Sequence, residues 1–139
     1  MAMAKTVKGV SATMSAFLML LASVSLVVGG MVIANIMLIS VNEQKKEIGI
    51  RRAFGSRAQD IMHQFLAEVL MVTISGGICG AGLGAAIAMG MAMMQKMPAI
   101  LSWEPLAIAL LFSTVVGLLA GIQPARKAAA MDPVTAIRG

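Results

Sequence analysis

Residues 9–42 read GVSATMSAFLMLLASVSLVVGGMVIANIMLISVN, 34 consecutive residues without a charge. Roughly 18 apolar residues suffice for a helix to cross a bilayer, so this run decides the class of protein. The pattern recurs further along the chain, with 27 uncharged residues from Val69 to Gln95 and 21 from Pro105 to Ala125. Of the 139 residues, 59% are hydrophobic, 12% charged and 4% aromatic. An ordinary soluble domain has roughly a quarter charged residues. A soluble domain of this length has no core thick enough to bury three such runs. A soluble enzyme, a nucleic-acid-binding module and a disordered tail are therefore excluded. The expected fold is an all-α membrane protein with spans at about 15–40, 66–94 and 105–123 and a short amphipathic helix at about 43–55. A tail precedes this block over residues 1–13, and another follows over 124–139.

The formal net charge of +5 raises the question of nucleic acid, but in a chain with three spans basic residues report topology. Lys45, Lys46, Arg51, Arg52 and Arg57 lie between the first two spans, and Arg126, Lys127 and Arg138 follow the third. Those eight face one side; Lys5, Lys8 and Lys96 face the other. The positive-inside rule makes the 43–60 segment and the C-terminus cytoplasmic and the N-terminus external. The first run is too long to be the core of a cleaved signal peptide. An external N-terminus without a signal points to a further span ahead of this block. Cys79, the single cysteine, lies within an apolar run and says little about redox compartment.

Local signals divide the chain further. Gly55 is a natural stop for the charged helix, and Ser56 with Gln59 has capping-box spacing for the next. Met97-Pro98 is expected to break that helix. Trp103 and Glu104-Pro105 mark an interfacial start for the third span, and Gln123-Pro124 its end. In the second span Gly76, Gly80, Gly84 and Ala88 recur every four residues, beside a row of Gly77, Ala81 and Ala85. The third span adds Gly117 and Gly121. Small residues at this spacing let helices approach closely, either within one subunit or at a sliding or dimerising interface.

The segment from Glu43 to Gly55 is the most charged, and Ile48, Ile50 and Phe54 punctuate its charges. Such a helix either lies along the membrane surface or docks in the groove of a cytoplasmic partner. Glu68 is expected to snorkel or to pair with Arg57, and Asn35 is the other polar candidate within a span. Of fourteen methionines, Met89, Met91, Met93, Met94 and Met97 cluster near the external end of the second span. Thioethers bind Cu(I), whereas methionine more commonly fills helix interfaces. His63 is the sole histidine, and no Ser, Cys or carboxylate converges with it by spacing. No G-x-x-x-x-G-K-[ST] loop is present. The sequence offers no catalytic, cofactor-binding or metal residues.

Several ordered motifs resemble a known family. Val27-Val28-Gly29-Gly30 with Asn35-Ile36-Met37-Leu38-Ile39-Ser40-Val41 resembles the first span of the C-terminal block in MacB-type permeases. Glu47-Ile48-Gly49-Ile50-Arg51-Arg52-Ala53-Phe54-Gly55 is similar to the E-I-G-I-R-[KR]-A-[LF]-G signature of FtsX-like permeases. Gln64 to Glu68, Pro124 to Ala129, Asp132-Pro133-Val134 and Ala136-Ile137-Arg138 resemble later segments of the same family. Gln123 departs from the apolar or aromatic residue expected before the proline.

The resemblance implies the C-terminal three-helix domain of a type VII ABC transporter permease, over residues 1–139, in a bacterial inner membrane. It implies a coupling helix that docks on an ATP-binding cassette, with ATP and Mg held by that partner rather than by this chain. Glu47, Arg51, Arg52 and Phe54 are then the expected cassette contacts, with Ile48 and Ile50 packing the helix or filling the cassette groove, and Gly55 turning the chain. A second permease copy, a periplasmic adaptor and an outer-membrane channel are further implied partners. The function implied is mechanotransmission in export or efflux. A membrane scaffold or regulator of a cell-envelope complex is the alternative, with a methionine-lined copper conduit behind it. The family's first helix, periplasmic domain and cassette are all missing from these residues, which points to a piece of a longer or split transporter.

Overall fold

A computed structural model describes residues 1–96, Pro98 and residues 100–138. They form five α-helices: α1 (Ala2–Glu43), α2 (Lys45–Ala53), α3 (Ala58–Gln95), α4 (Trp103–Ala129) and α5 (Pro133–Arg138). Among the described residues there is no strand. Helices α1, α3 and α4 are long and apolar enough to cross a membrane, as the three uncharged runs require. Span hydroxyls return their protons to carbonyls in the same helix: Ser23 to Met19, Thr73 to Val69 and Thr114 to Leu110, at 2.8, 2.7 and 2.7 Å. This satisfies polar groups where no water can.

The helices outrun the expected spans. At 1.5 Å per residue, the 42 residues of α1 extend about 63 Å, against a hydrocarbon core of about 30 Å. Residues 1–13, expected as a tail, are helical from Ala2 onward. Pro124, expected to end the third span, lies inside α4, which continues to Ala129. Proline removes only one backbone donor near the helix end, and its ring is fully buried, so packing offsets the loss.

The expected cap of α3 moves by one residue. Gly55 has φ +101°, and Gly55 and Ser56 donate their N–H groups to the carbonyls of Arg52 and Arg51, each at 3.1 Å. This is a Schellman closure of α2, and it uses Ser56. Arg57 becomes the N-cap of α3, its N–H bonded to Asp60 Oδ2 at 3.3 Å. At the other end α3 stops at Gln95, with Lys96 in the left-handed region at φ 52°. Met97, the residue expected to break this helix with Pro98, lies outside the described residues.

Helix α4 is the centre of the bundle, with α1 on one flank and α3 on the other. α3 runs antiparallel to it: Val69 meets Gly121, Thr73 meets Gly117 and Gly77 meets Ser113, four residues at each step. A Cβ at Gly121 would lie 2.8 Å from both Val69 γ carbons, and one at Gly117 would overlap the Thr73 side chain. α1 packs on α4 where Gly30 faces Val116 and Ala120. Between α1 and α3 a groove of about 260 Å³ remains, floored by Ser113, Val116 and Gly117. The buried cluster is confined to the α2 end, where Met37, Val41, Ile48, Ile61, Phe65, Val69, Ala125 and Ala128 meet.

Candidate functional site

The α2 end is where charge, apolar exposure and defined geometry coincide. α2 is separated from α1 by a single non-helical residue, Gln44 (φ −89°, ψ 6°), after which Ile48 N–H bonds to the Gln44 carbonyl at 2.9 Å. Because α2 has 3.6 residues per turn, its residues divide between an inner and an outer face. Ile48, 4% exposed, enters the buried cluster. Gly49 is also buried and lies against α5. A Cβ there would sit 2.8 Å from Ala136 Cβ and 3.3 Å from the Pro133 carbonyl, so only glycine permits this approach. Glycine in a helix interior costs about 1 kcal/mol relative to alanine, and here the close contact gives a reason for it.

The two arginines of α2 have different surroundings. Arg51 is exposed; its Nη2 donates to Glu47 at 2.8 Å and its Nη1 to Gln64 Oε1 on α3 at 2.7 Å. Arg52 is half-buried, and its Nη1 donates to the carbonyls of Ala129 and Met131 at the end of α4, the latter at 3.3 Å. The Ala129 carbonyl, in the last turn of α4, lacks an intrahelical partner, and Arg52 Nη1 supplies its donor. Lys45, Lys46, Ile50 and Phe54 remain on the outside, with Phe54 88% exposed. An exposed aromatic beside cationic side chains can bury apolar area against a partner and pair with its carboxylates.

Of the residues singled out by sequence, the structure gathers Glu47, Ile48, Ile50, Arg51, Arg52, Phe54 and Gly55 on or just after α2. It turns Ile48 and Arg52 inward. The small-residue rows divide differently from their regularity. Gly117 and Gly121 are buried against α3, but an added Cβ at Gly76, Gly80 or Gly84 would meet nothing within 4 Å. Ala88 is exposed as well. Packing within the chain instead uses the neighbouring row, in which Gly77 approaches Leu110 and Ser113. The reason is helical phase: Gly76 and Gly77 differ by about 100° around the axis, and α4 covers only one of the two directions.

Other expectations resolve plainly. Glu68 does not pair with Arg57; eleven residues of α3 set them about 16 Å apart along the axis, and Glu68 is exposed. Asn35 and His63 are exposed. Met89, Met91, Met93 and Met94 are exposed, and at about 100° per residue Met89 and Met93 share one side of α3 while Met91 and Met94 share the other, so the four do not meet at one point. Met97 lies outside the described residues. The residues missed from sequence are those behind α2: Ala129, Met131, Pro133 and Ala136. Gly49 within a charged helix was their available signal.

Comparison with known proteins agrees with this architecture. A family model described as FtsX-like permease C-terminal matches residues 19–133. The macrolide export ATP-binding/permease protein MacB of Escherichia coli (strain K12) is 46% identical over 96% of this chain, which covers 21% of that protein. The uncharacterized ABC transporter permease YknZ of Bacillus subtilis (strain 168) is 40% identical over 93% of the chain, covering 32% of that protein. The chain thus spans between about a fifth and a third of the length of these relatives. With the family model matched along most of its length, the chain belongs to the FtsX-like permease family, in which it is a C-terminal domain.

Proposed function

We propose that this chain is the membrane portion of an ABC transporter permease in a bacterial inner membrane, and that α2 is its coupling helix. The observation that carries the proposal is α2 itself: a separate, charged helix fastened to one end of three membrane-length helices, with Ile50 and Phe54 left exposed. The excess of basic residues at that end supports a cytoplasmic side for it. An ATP-binding cassette, holding ATP and Mg, docks against Lys45, Lys46, Glu47, Ile50, Arg51 and Phe54. Its closure on ATP displaces α2 and tilts the helices, moving whatever lies beyond their external ends. The likeness to a macrolide exporter supports export as the direction and macrolides as the first substrates to try. A second copy, an adaptor and an outer-membrane channel complete the proposed assembly.

The pairing of Glu47 with Arg51 supplies a discriminating variant. Reversing both charges, Glu47→Arg with Arg51→Glu, retains an i,i+4 pair within α2 while inverting what a partner meets. Insertion should be unchanged, and cassette ATPase should no longer respond to the permease. Unaltered ATPase coupling in the double variant would remove Glu47 and Arg51 from the docking surface. Co-purification provides the broader test: a cassette subunit supports the proposal, whereas a cell-wall hydrolase or its activator in its place supports a scaffolding role.

A further inference from the structure

α2 is covalently joined to α1 and α3, but its inner face is held by neither alone. Arg52 bonds to the Ala129 and Met131 carbonyls at the end of α4. Gly49 lies in contact with Ala136, Ile137 and Pro133 of α5, the helix that follows α4. Ile48 enters a buried cluster to which α4 gives Ala125 and Ala128, α1 gives Met37 and Val41, and α3 gives Ile61, Phe65 and Val69. The chain passes from α1 to α2 through the single residue Gln44, and Arg51 also bonds to Gln64 of α3. α4 in turn engages both flanking helices without slack, at Gly117 and Gly121 on α3 and at Gly30 on α1.

We propose that Arg52 and α5 form a clamp joining α2 rigidly to the C-terminal end of α4, so that α4 is the helix through which displacement of α2 enters the bundle. Arg52 is in this view a positioning residue, not a cassette contact. Its charge complements the negative end of the α4 dipole, and its Nη1 donates both to the last-turn Ala129 carbonyl, which helix geometry leaves unpaired, and to Met131 just beyond α4. α5 closes the other side: with no side chain at Gly49, the α2 backbone lies against the Ala136 and Ile137 side chains and the Pro133 carbonyl of α5. The proposal rests on the reading of α2 as the cassette-docking helix.

The test uses the full-length protein with its cassette in membrane vesicles, in a Cys79→Ser background. Gly49→Ala places a Cβ 2.8 Å from Ala136 Cβ and should part α2 from α5, lowering macrolide export while the cassette still co-purifies. Adding Ala136→Gly, which removes the overlapped methyl, should restore part of the export. Unchanged export in Gly49→Ala, or no recovery in the double variant, would overturn the clamp. Separately, Arg52→Ala should retain cassette co-purification but lose the ATP-dependent signal of a bimane probe on W103C at the far end of α4, with Arg52→Lys restoring part of it. Loss of the cassette from Arg52→Ala, or a preserved bimane response, would overturn the positioning role. An unsubstituted protein that recovers no cassette would overturn the docking reading instead; proteolysis between α4 and α5, faster in Gly49→Ala and slowed again by Ala136→Gly, needs no cassette and judges the clamp independently.

Discussion

Gly121 and Gly80 look interchangeable in the sequence, each in a small-residue row, yet they face opposite fates. A side chain at Gly121 meets Val69 at 2.8 Å, while one at Gly80 meets nothing within 4 Å. Overpacking of a filled interface typically costs about 1–3 kcal/mol. Gly121→Val should therefore lower the thermal midpoint of the detergent-solubilised monomer, and Gly80→Val should leave it near the parent value. Equal midpoints for the two would contradict the α3–α4 register. Gly55 is a second position decided by the backbone, because φ +101° disfavours any Cβ. Gly55→Ala should cost about 1–3 kcal/mol, measured as faster proteolysis between α2 and α3. Gly55 was legible as a helix stop because glycine there follows a charged helix directly. The difference between Gly121 and Gly80 was not, because four-residue spacing specifies a stripe without saying which neighbour covers it.

At the scale of elements, α2 shows how one short helix serves two surfaces. Ile48 is 4% exposed and Phe54 88% exposed, six residues apart on the same sequence motif. Ile48→Ala removes buried methyl groups and should destabilise the fold by about 2–5 kcal/mol, whereas Phe54→Ala should change stability by less than about 0.5 kcal/mol. Cassette recovery should show the converse: Phe54→Ala should abolish co-purification in a protein that melts normally. An intact Phe54→Ala complex would move the docking surface elsewhere. The motif located this helix to within a few residues, since charge interrupting two apolar runs has few other structural solutions. It did not separate the inward from the outward arginine. Arg51 and Arg52 are adjacent and chemically identical, and only the arrival of the α4 end beside Arg52 distinguishes them.

Across the whole molecule, large apolar side chains remain uncovered along α1, α3 and α4, and burial is concentrated at the α2 end. Lipid can cover such surfaces, and Gly80 and Gly84 leave a strip of α3 without side chains on which a second copy can be tested. Cys79, exposed beside that face, is a built-in reporter for it. If a second copy packs there, a bismaleimide should link Cys79 between copies in membranes, and Gly80→Leu with Gly84→Leu should abolish the link without changing monomer stability. Persistent linking in that double variant would place the dimer contact on another face. By itself the sequence determined the class and the spans, because 34, 27 and 21 uncharged residues admit no other burial than a bilayer. It also determined where the charged helix lies, since backbone hydrogen bonding and charge are local properties readable residue by residue. Tertiary structure alone decided that α4 is central, that Gly117 rather than Gly80 is the tight contact, and that Arg52 and α5 fasten α2 from behind. Those choices depend on which helix occupies which direction in space, and a one-dimensional period carries no such direction.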